Sequence, residues 1–347
     1  MTTSLCTTRR TTRRAPRRAL TTLALAAALA PLAASAQVEL KYASAAPPGS
    51  LFAKQIERLA ADIAAETGGK VKVNPFHNAQ LGGEADVIGQ IVRGRVEMGG
   101  FAAAALSLQT PEIGLLQLPF MFDSTAQRDC VLDNHAKPIV VENLAKKGLH
   151  FVAWGESGVN QIIGKKAYPT PADVKGAKVA HFPGKVISEF WRHVGANPVP
   201  TSSADLASGL QTGLLDAMAT VPVYYIPSGL NKIAPTLTKV DLSAAMTVNV
   251  VSKSVYDKWP ADLRAAFDRG AAKTPTAQVR SEIRALNEQL LKGHKDAGGT
   301  LVDVTPEQRA LWQKDLAPYY ASIVKDLGEP GAKLFAALEA GKKVCAK

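Results

Sequence analysis

The chain has 347 residues, 46% of them hydrophobic, with three cysteines and 41 Lys and Arg against 30 Asp and Glu, a formal charge of +11. That apolar content excludes a disordered chain, and the length is enough for two domains with sizeable cores. Six of the bases fall in the first 36 residues, so the remainder carries 35 bases against 30 acids, a surplus of +5. A surplus this small argues against nucleic acid as a partner and at most favours anionic small solutes at long range.

The first 36 residues contain Arg9, Arg10, Arg13, Arg14, Arg17 and Arg18 and no acid, then the apolar run ALTTLALAAALAPLAA and the small-residue site Ala34-Ser35-Ala36. This is the pattern of an export signal, cleaved after Ala36 to deliver the chain to the periplasm by either the general secretory or the twin-arginine route. The apolar run is too short for a membrane anchor, Pro31 interrupts it, and no later run approaches membrane length. Cys6 leaves with the leader. Cys130 and Cys345 remain, and an oxidising compartment allows them to pair.

From residue 37 onward the chain alternates. Val38–Ala43 reads as a strand; Ser50 caps a helix with Phe52, Ile56, Leu59 and Ile63 on one face, ended by Gly68-Gly69. Val71–Val73 is a second strand. A helix marked by Val87, Ile88, Ile91 and Val92 follows, then a buried strand in VEMGGFAAAA. This βαβαβ order predicts an open α/β sheet. A helix is expected over 125–147 and a strand over 150–154. Thr170-Pro171-Ala172-Asp173 is a helix start that leads into the short strand 177–182, and a second strand–helix series from Val186 to Ala219 repeats the plan. Residues 251–347 are predicted helical, with a capping box from Thr305 to Gln308.

Catalytic motifs are scarce. The six histidines at 77, 135, 150, 181, 193 and 294 form no HExxH spacing, neither GxGxxG nor a Walker sequence occurs, and WGESGV places Ser157 near glycines without the GxSxG spacing of a nucleophile elbow. The expectation is a non-enzymatic protein without cofactor or metal, binding a small solute where strand ends from two lobes meet.

A series of motifs in order carries a resemblance. A helix followed by TGGKV, then QLGGE (80–84), the VEM strand, LPFMFD (118–123), TPADVKGAKV (170–179), GANPVP (195–200) and LQTGLLDA (210–217) resemble the DctP-type solute receptors of tripartite ATP-independent periplasmic (TRAP) transporters. The resemblance spans essentially the whole chain after the leader. It implies a two-lobed, periplasmic-binding-protein-like α/β clamp of type II-like build, with a hinge, a ligand cleft and a helical C-terminal region. It assigns 37–157 with about 246–285 to one lobe and 158–245 with about 286–347 to the other, with hinges near 157–159 and 245–250. It also implies a monomer that hands its solute to membrane permease subunits. A periplasmic ligand-binding sensor, or an enzyme on the same fold, stays open as an alternative.

In receptors of this kind the residue after G-x-K-V is typically an Arg whose fork pairs a ligand carboxylate; here it is Ala180. A charged hydrogen bond is worth about 1.5–3 kcal/mol, so its loss predicts a neutral, zwitterionic or bulkier solute, unless Lys178, His181 or Arg192 holds an anion in a shifted pose. The expected contacts are Tyr42 and Ser44 after the first strand, Phe101 and Ala102 after the third, Trp154 and Asn160, then Ala180, His181 and Phe182, and finally Thr220 and Tyr224.

Overall fold

A computed structural model describes residues 7–8, 37–182, 184–203 and 205–345. The expected leader lies outside the described residues apart from Thr7 and Thr8. Nine strands form one sheet among the described residues: β1 (Val38–Ala43), β2 (Val71–Phe76), β3 (Met98–Ala102), β4 (Leu149–Gly164), β5 (Lys178–His181), β6 (Asn197–Pro200), β7 (Ala217–Thr220), β8 (Thr236–Ser252) and β9 (Thr300–Asp303). Their order is β2-β1-β3-β8-β4-β7-β5-β6, with β9 parallel to β8. One half is a parallel trio, β2-β1-β3, closed by antiparallel β8; the other is a parallel trio, β6-β5-β7, closed by antiparallel β4. The second half thus repeats the plan of the first, as the strand–helix alternation predicts.

The two long central strands differ from the sequence expectation, which ended a strand at Trp154 and gave none to 236–252. β4 and β8 pair antiparallel along their whole length. Leu149–Glu156 face Met246–Ser252 in the first half, and Gly158–Gly164 face Thr236–Ala245 in the second. Both strands are covered on both faces, so their sequences lack the alternation that marks a half-exposed strand. The ladder slips between Phe151 and Ala153, between Glu156 and Gly158, and between Asn160 and Ile162. Such bulges bend a strand and re-aim its side chains.

Local signals behave as expected elsewhere. The Ser50 hydroxyl accepts from Ala53 N–H and starts the helix Leu51–Glu66. Thr170 N–H donates to Asp173 at 2.8 Å, and Thr305 and Gln308 exchange backbone and side-chain bonds of 3.0 and 3.2 Å. The expected helix over 125–147 is split into Thr125–Val131 and Lys137–Lys146 by a wider turn at Leu132–Ala136. Pro138 has no amide hydrogen to give to the carbonyl of Asn134, so regular i→i−4 bonding cannot run through. The C-terminal region adds the helices Ala261–Lys273, Thr276–Asp296, Pro306–Gln313 and Leu316–Val344, with the unexpected β9 between the second and third.

Three apolar clusters fill the interior. One gathers Leu40, Ile63, Trp259 and Phe267 in the first half, and another Ile163, Leu206, Leu210 and Leu237 in the second; the largest runs from Ile88 and Leu116 through Phe190 and Trp312 to Leu338. The last helix touches both halves. The Tyr319 hydroxyl donates to Val186 O at 2.7 Å, Tyr320 to Pro119 O at 2.5 Å, and Cys345 is joined to Cys130 with Cα atoms 5.9 Å apart.

Where β4 passes from one half to the other, Glu156 is fully buried. Its carboxylate accepts from Arg128 Nη2 at 2.7 Å, from Arg284 Nε at 3.0 Å and from Arg284 Nη2 at 2.8 Å. Arg284 also reaches Asp129 at 2.8 Å, while Arg280 on the same helix forks onto Asp133 at 2.7 and 2.9 Å. Removing the carboxylate leaves the buried Arg128 with only its longer bonds to Asp129, at 3.2 and 3.3 Å. Glu156→Ala is therefore expected to cost about 3–5 kcal/mol in urea unfolding. Glu39→Ala, which breaks an exposed pair with Lys72, should stay within about 1 kcal/mol. The Cys130→Ala/Cys345→Ala double variant, measured without reductant, should lose about 2–4 kcal/mol while keeping its far-UV spectrum.

Candidate functional site

A cavity of about 770 Å³ opens where the strand ends of the first half meet the second. Its walls come from the end of β1 and the loop after it, the first helix, Gly100 and Ala102 of β3, Ala153–Ser157 of β4, and Thr247 and Asn249 of β8. Opposite them stand Val221, Val223, Tyr224, Pro227 and Ser228, which follow β7, and Val279, Leu286 and Leu290 of the helix Thr276–Asp296. Carboxyl ends of strands are where open α/β sheets place ligands, because side chains from several loops converge there.

The floor is a polar bridge between strands. The Tyr42 hydroxyl donates to Asn249 Oδ1, and Asn249 Nδ2 donates to Ala153 O at 3.3 Å. Burial pushes the Tyr42 phenol well above its ordinary range, so it stays a donor. Gly100 is required for this bridge, since a Cβ there would lie 2.3 Å from the Tyr42 hydroxyl and 2.8 Å from Asn249 Oδ1. Gly155 is required likewise, because its Cβ would fall 2.1 Å from Thr247 Oγ1.

Three charged residues line the wall: Arg58, Glu84 and Glu156. Arg58 forks onto Glu282 with both bonds at 2.9 Å and holds that carboxyl down at about 2. Glu156 is held by Arg128 and Arg284. Glu84, the first residue of the helix Glu84–Val92, accepts only the Ala102 backbone N–H, at 3.4 Å. Burial pushes its carboxyl up to about 7. Among the described residues no group of His, Cys, Asp and Glu is arranged to hold a metal ion.

Of the residues singled out in the sequence, Tyr42, Ser44, Ala102, Trp154 and Tyr224 lie on the cavity wall. The other six do not. Phe101 points into the core, as a strand residue adjacent to wall-lining Ala102 must. Asn160 Nδ2 donates to Ser243 at 3.1 Å between the long strands, and Thr220 is buried beside Gln161 on β4. Ala180 is fully buried in the apolar cluster of the second half with Ile163 and Met218, so its methyl is a core atom and vacates no room in the cavity. His181 shares Nδ1 with Phe182 O at 2.8 Å, and burial lowers its basicity. Phe182 is 40% exposed and meets Tyr224 edge-on at 6.0 Å, outside the wall.

None of the bases considered as a replacement reaches the cavity. Lys178 Nζ donates to Gly213 O at 2.6 Å, and exposed Arg192 pairs with Glu189. Arg58, Glu84, Thr247 and Asn249 were not singled out in advance. Asn249 had a readable signal, a lone amide in the apolar stretch TVNVV, and Glu84 ends the QLGGE turn. A second cavity of about 360 Å³ shares only Glu156 with the first, and its Gln161 and Asp241 satisfy each other at 2.7 and 2.9 Å.

Residues 42–326 match the family described as bacterial extracellular solute-binding protein, family 7 (DctP). A solute-binding protein of Verminephrobacter eiseniae is 27% identical over 85% of this chain and 88% of its own. The C4-dicarboxylate-binding periplasmic protein DctP of Rhodobacter capsulatus is 24% identical over 91% of this chain and 95% of its own. Among solved structures, the sugar acid binding protein of Advenella mimigardefordensis in complex with galactonate superposes with a TM-score of 0.80, at 24% identity, over 88% of this chain and 98% of that one. The fold is thus the two-lobed α/β fold of these receptors, and the chain belongs to the DctP family of bacterial extracellular solute-binding proteins.

Proposed function

We propose that this protein is the extracytoplasmic receptor of a TRAP transporter, which captures a small organic solute in the 770 Å³ cavity and delivers it to membrane permease subunits. The observation that carries this reading is a cavity of about 770 Å³ walled by both halves of the sheet, at the carboxyl ends of β1 and β3 and just after β7. The named ligands of its relatives, C4-dicarboxylates and galactonate, support a small organic compound as the solute class. Export to the periplasm is supported by the Arg-rich leader and by the Cys130–Cys345 bond, which an oxidising compartment maintains.

The event at the site is closure, not covalent chemistry. The two lobes correspond to 37–157 with about 246–285 and 158–245 with about 286–347. The bulge between Glu156 and Gly158, opposite Met246 and Ala245, supplies the hinge. Solute held on the first-lobe wall recruits Tyr224 and Val223 from the second, water leaves, and the closed state gains population by the solute's preference for it.

A thermal-shift screen of residues 37–347 tests the reading, with C4-dicarboxylates, aldonates, uronates, amines, amides and polyols as the panel. A solute at a hundred times its dissociation constant adds about 2.7 kcal/mol, a rise of several degrees that Tyr224→Ala should shrink. Failure of every class to raise the melting temperature overturns receptor function. Glu84 adds a pH signature. Its folded-state carboxyl titrates near 7 against an ordinary 4.5, so the folded state holds a proton that the unfolded state has released. Stability should fall as pH rises from about 4.5 to 7. In Glu84→Gln that part of the slope should vanish, which melting curves at successive pH values would reveal.

A further inference from the structure

Charge on the cavity wall is unevenly spent. Arg58 gives Nη1 and Nη2 to Glu282, which meets its charge, while its Nε–H is buried without a partner. Both oxygens of Glu156 are taken by Arg128 and Arg284. Among the described residues Glu84 has no side-chain partner, and the one bond it accepts is the 3.4 Å contact from Ala102 N–H. The helix it begins packs against β3, β8 and the short helix Ala103–Leu106. Neither β3 nor Ala103–Leu106 contains a charged residue, and β8 meets the wall with Thr247 and Asn249. The other titratable groups on the wall are the phenols of Tyr42 and Tyr224.

An unpaired carboxylate in a cavity is stabilised by a cation and opposed by a second anion, and both effects grow as water leaves. Other donors on the wall without a hydrogen bond include the uncharged Trp154 indole N–H and Tyr224 hydroxyl, and the Arg58 Nε–H, whose guanidinium charge is already met by Glu282. They suit a hydroxyl or carbonyl and do not neutralise a carboxylate. Much of the remaining wall is aliphatic or aromatic: Leu51, Phe52, Ile56 and Leu59 on one side, Leu286 and Leu290 on another.

We infer that the solute of this receptor presents a protonated amine to Glu84 and an apolar body to the rest of the cavity, in place of a carboxylate clamped by arginine. The inference rests on the receptor reading above and narrows its solute class. An ammonium against Glu84 forms a charge-assisted hydrogen bond in the one place where the wall holds an unspent charge. A simple carboxylate in the same space would sit beside Glu84, and the wall's guanidinium, Arg58, already has its charge met by Glu282.

Three ligands with one body separate the possibilities: 3-phenylpropylamine, 3-phenylpropan-1-ol and 3-phenylpropanoate, titrated calorimetrically into residues 37–347 at pH 8. The amine is expected to bind at least tenfold more tightly than the alcohol, and the acid more weakly still. Glu84→Gln should erase the amine's advantage while leaving the alcohol's affinity within about twofold, which also shows that the variant is folded. Tighter binding of the acid than of the amine overturns the amine class and leaves receptor function standing. An amine preference that survives Glu84→Gln overturns the role given to Glu84. Binding by none of the three overturns the inference, and receptor function is then judged separately by the broad screen.

Discussion

Glu156 is the point through which the rest of the structure is tied. A fully buried carboxylate is tolerable only if its oxygens are met by donors, and here three bonds come from Arg128 and Arg284, 28 and 128 residues away in sequence. To supply them, the helix Thr125–Val131 and the helix Thr276–Asp296 must both lie against the place where β4 changes from one half of the sheet to the other. Cys130, two residues beyond Arg128, then pins the C-terminal end of the last helix to the same region. The network also sets the position of the cavity, since Glu156 and its neighbours on β4 form part of the wall.

Around that point the sheet is nearly palindromic. Each half has a parallel trio closed by one of the two long strands, and the long strands pair only with each other at the crossing. Most of the ladder is regular. Of the three irregular steps, those at Phe151 and Asn160 fall one in each half, and the one between Glu156 and Gly158 falls at the junction itself, where a rearrangement disturbs neither trio. A clamp needs this distribution: rigid lobes and a compliant connection.

The cavity is polar at its floor and apolar over much of its walls. Tyr42, Asn249 and Ala153 lock the floor in a chain of hydrogen bonds that only glycine at position 100 permits. Charge is neutralised internally at Arg58 and Glu156 and left open at Glu84. Relatives of this chain are named for binding organic acids, and the guanidinium on the wall here, Arg58, is paired with Glu282. A shared fold does not fix the solute, because specificity rests on a few charged partners placed on a common scaffold.

Much of the architecture is written in local chemistry. Caps at Ser50, Thr170 and Thr305, glycines after the first helix, and the strand–helix alternation up to Ala219 determined the element order, the repeated plan and the two-lobed class, because each depends on residues within a turn or two of one another. The resemblance to solute receptors also followed from motifs read in order. Tertiary structure decided the rest. β8 and the far half of β4 escaped notice because strands covered on both faces lose their alternation, and β9 is a strand only because β8 offers it an edge. The same limit applies to the site: Phe101 and Ala102 differ by one step of a strand, yet one is core and the other wall. Ala180 reads as an altered ligand contact in sequence but is a packed methyl in the fold. Arg58, Glu84 and Asn249 became site residues through partners or neighbours that are distant in sequence, which no local pattern encodes.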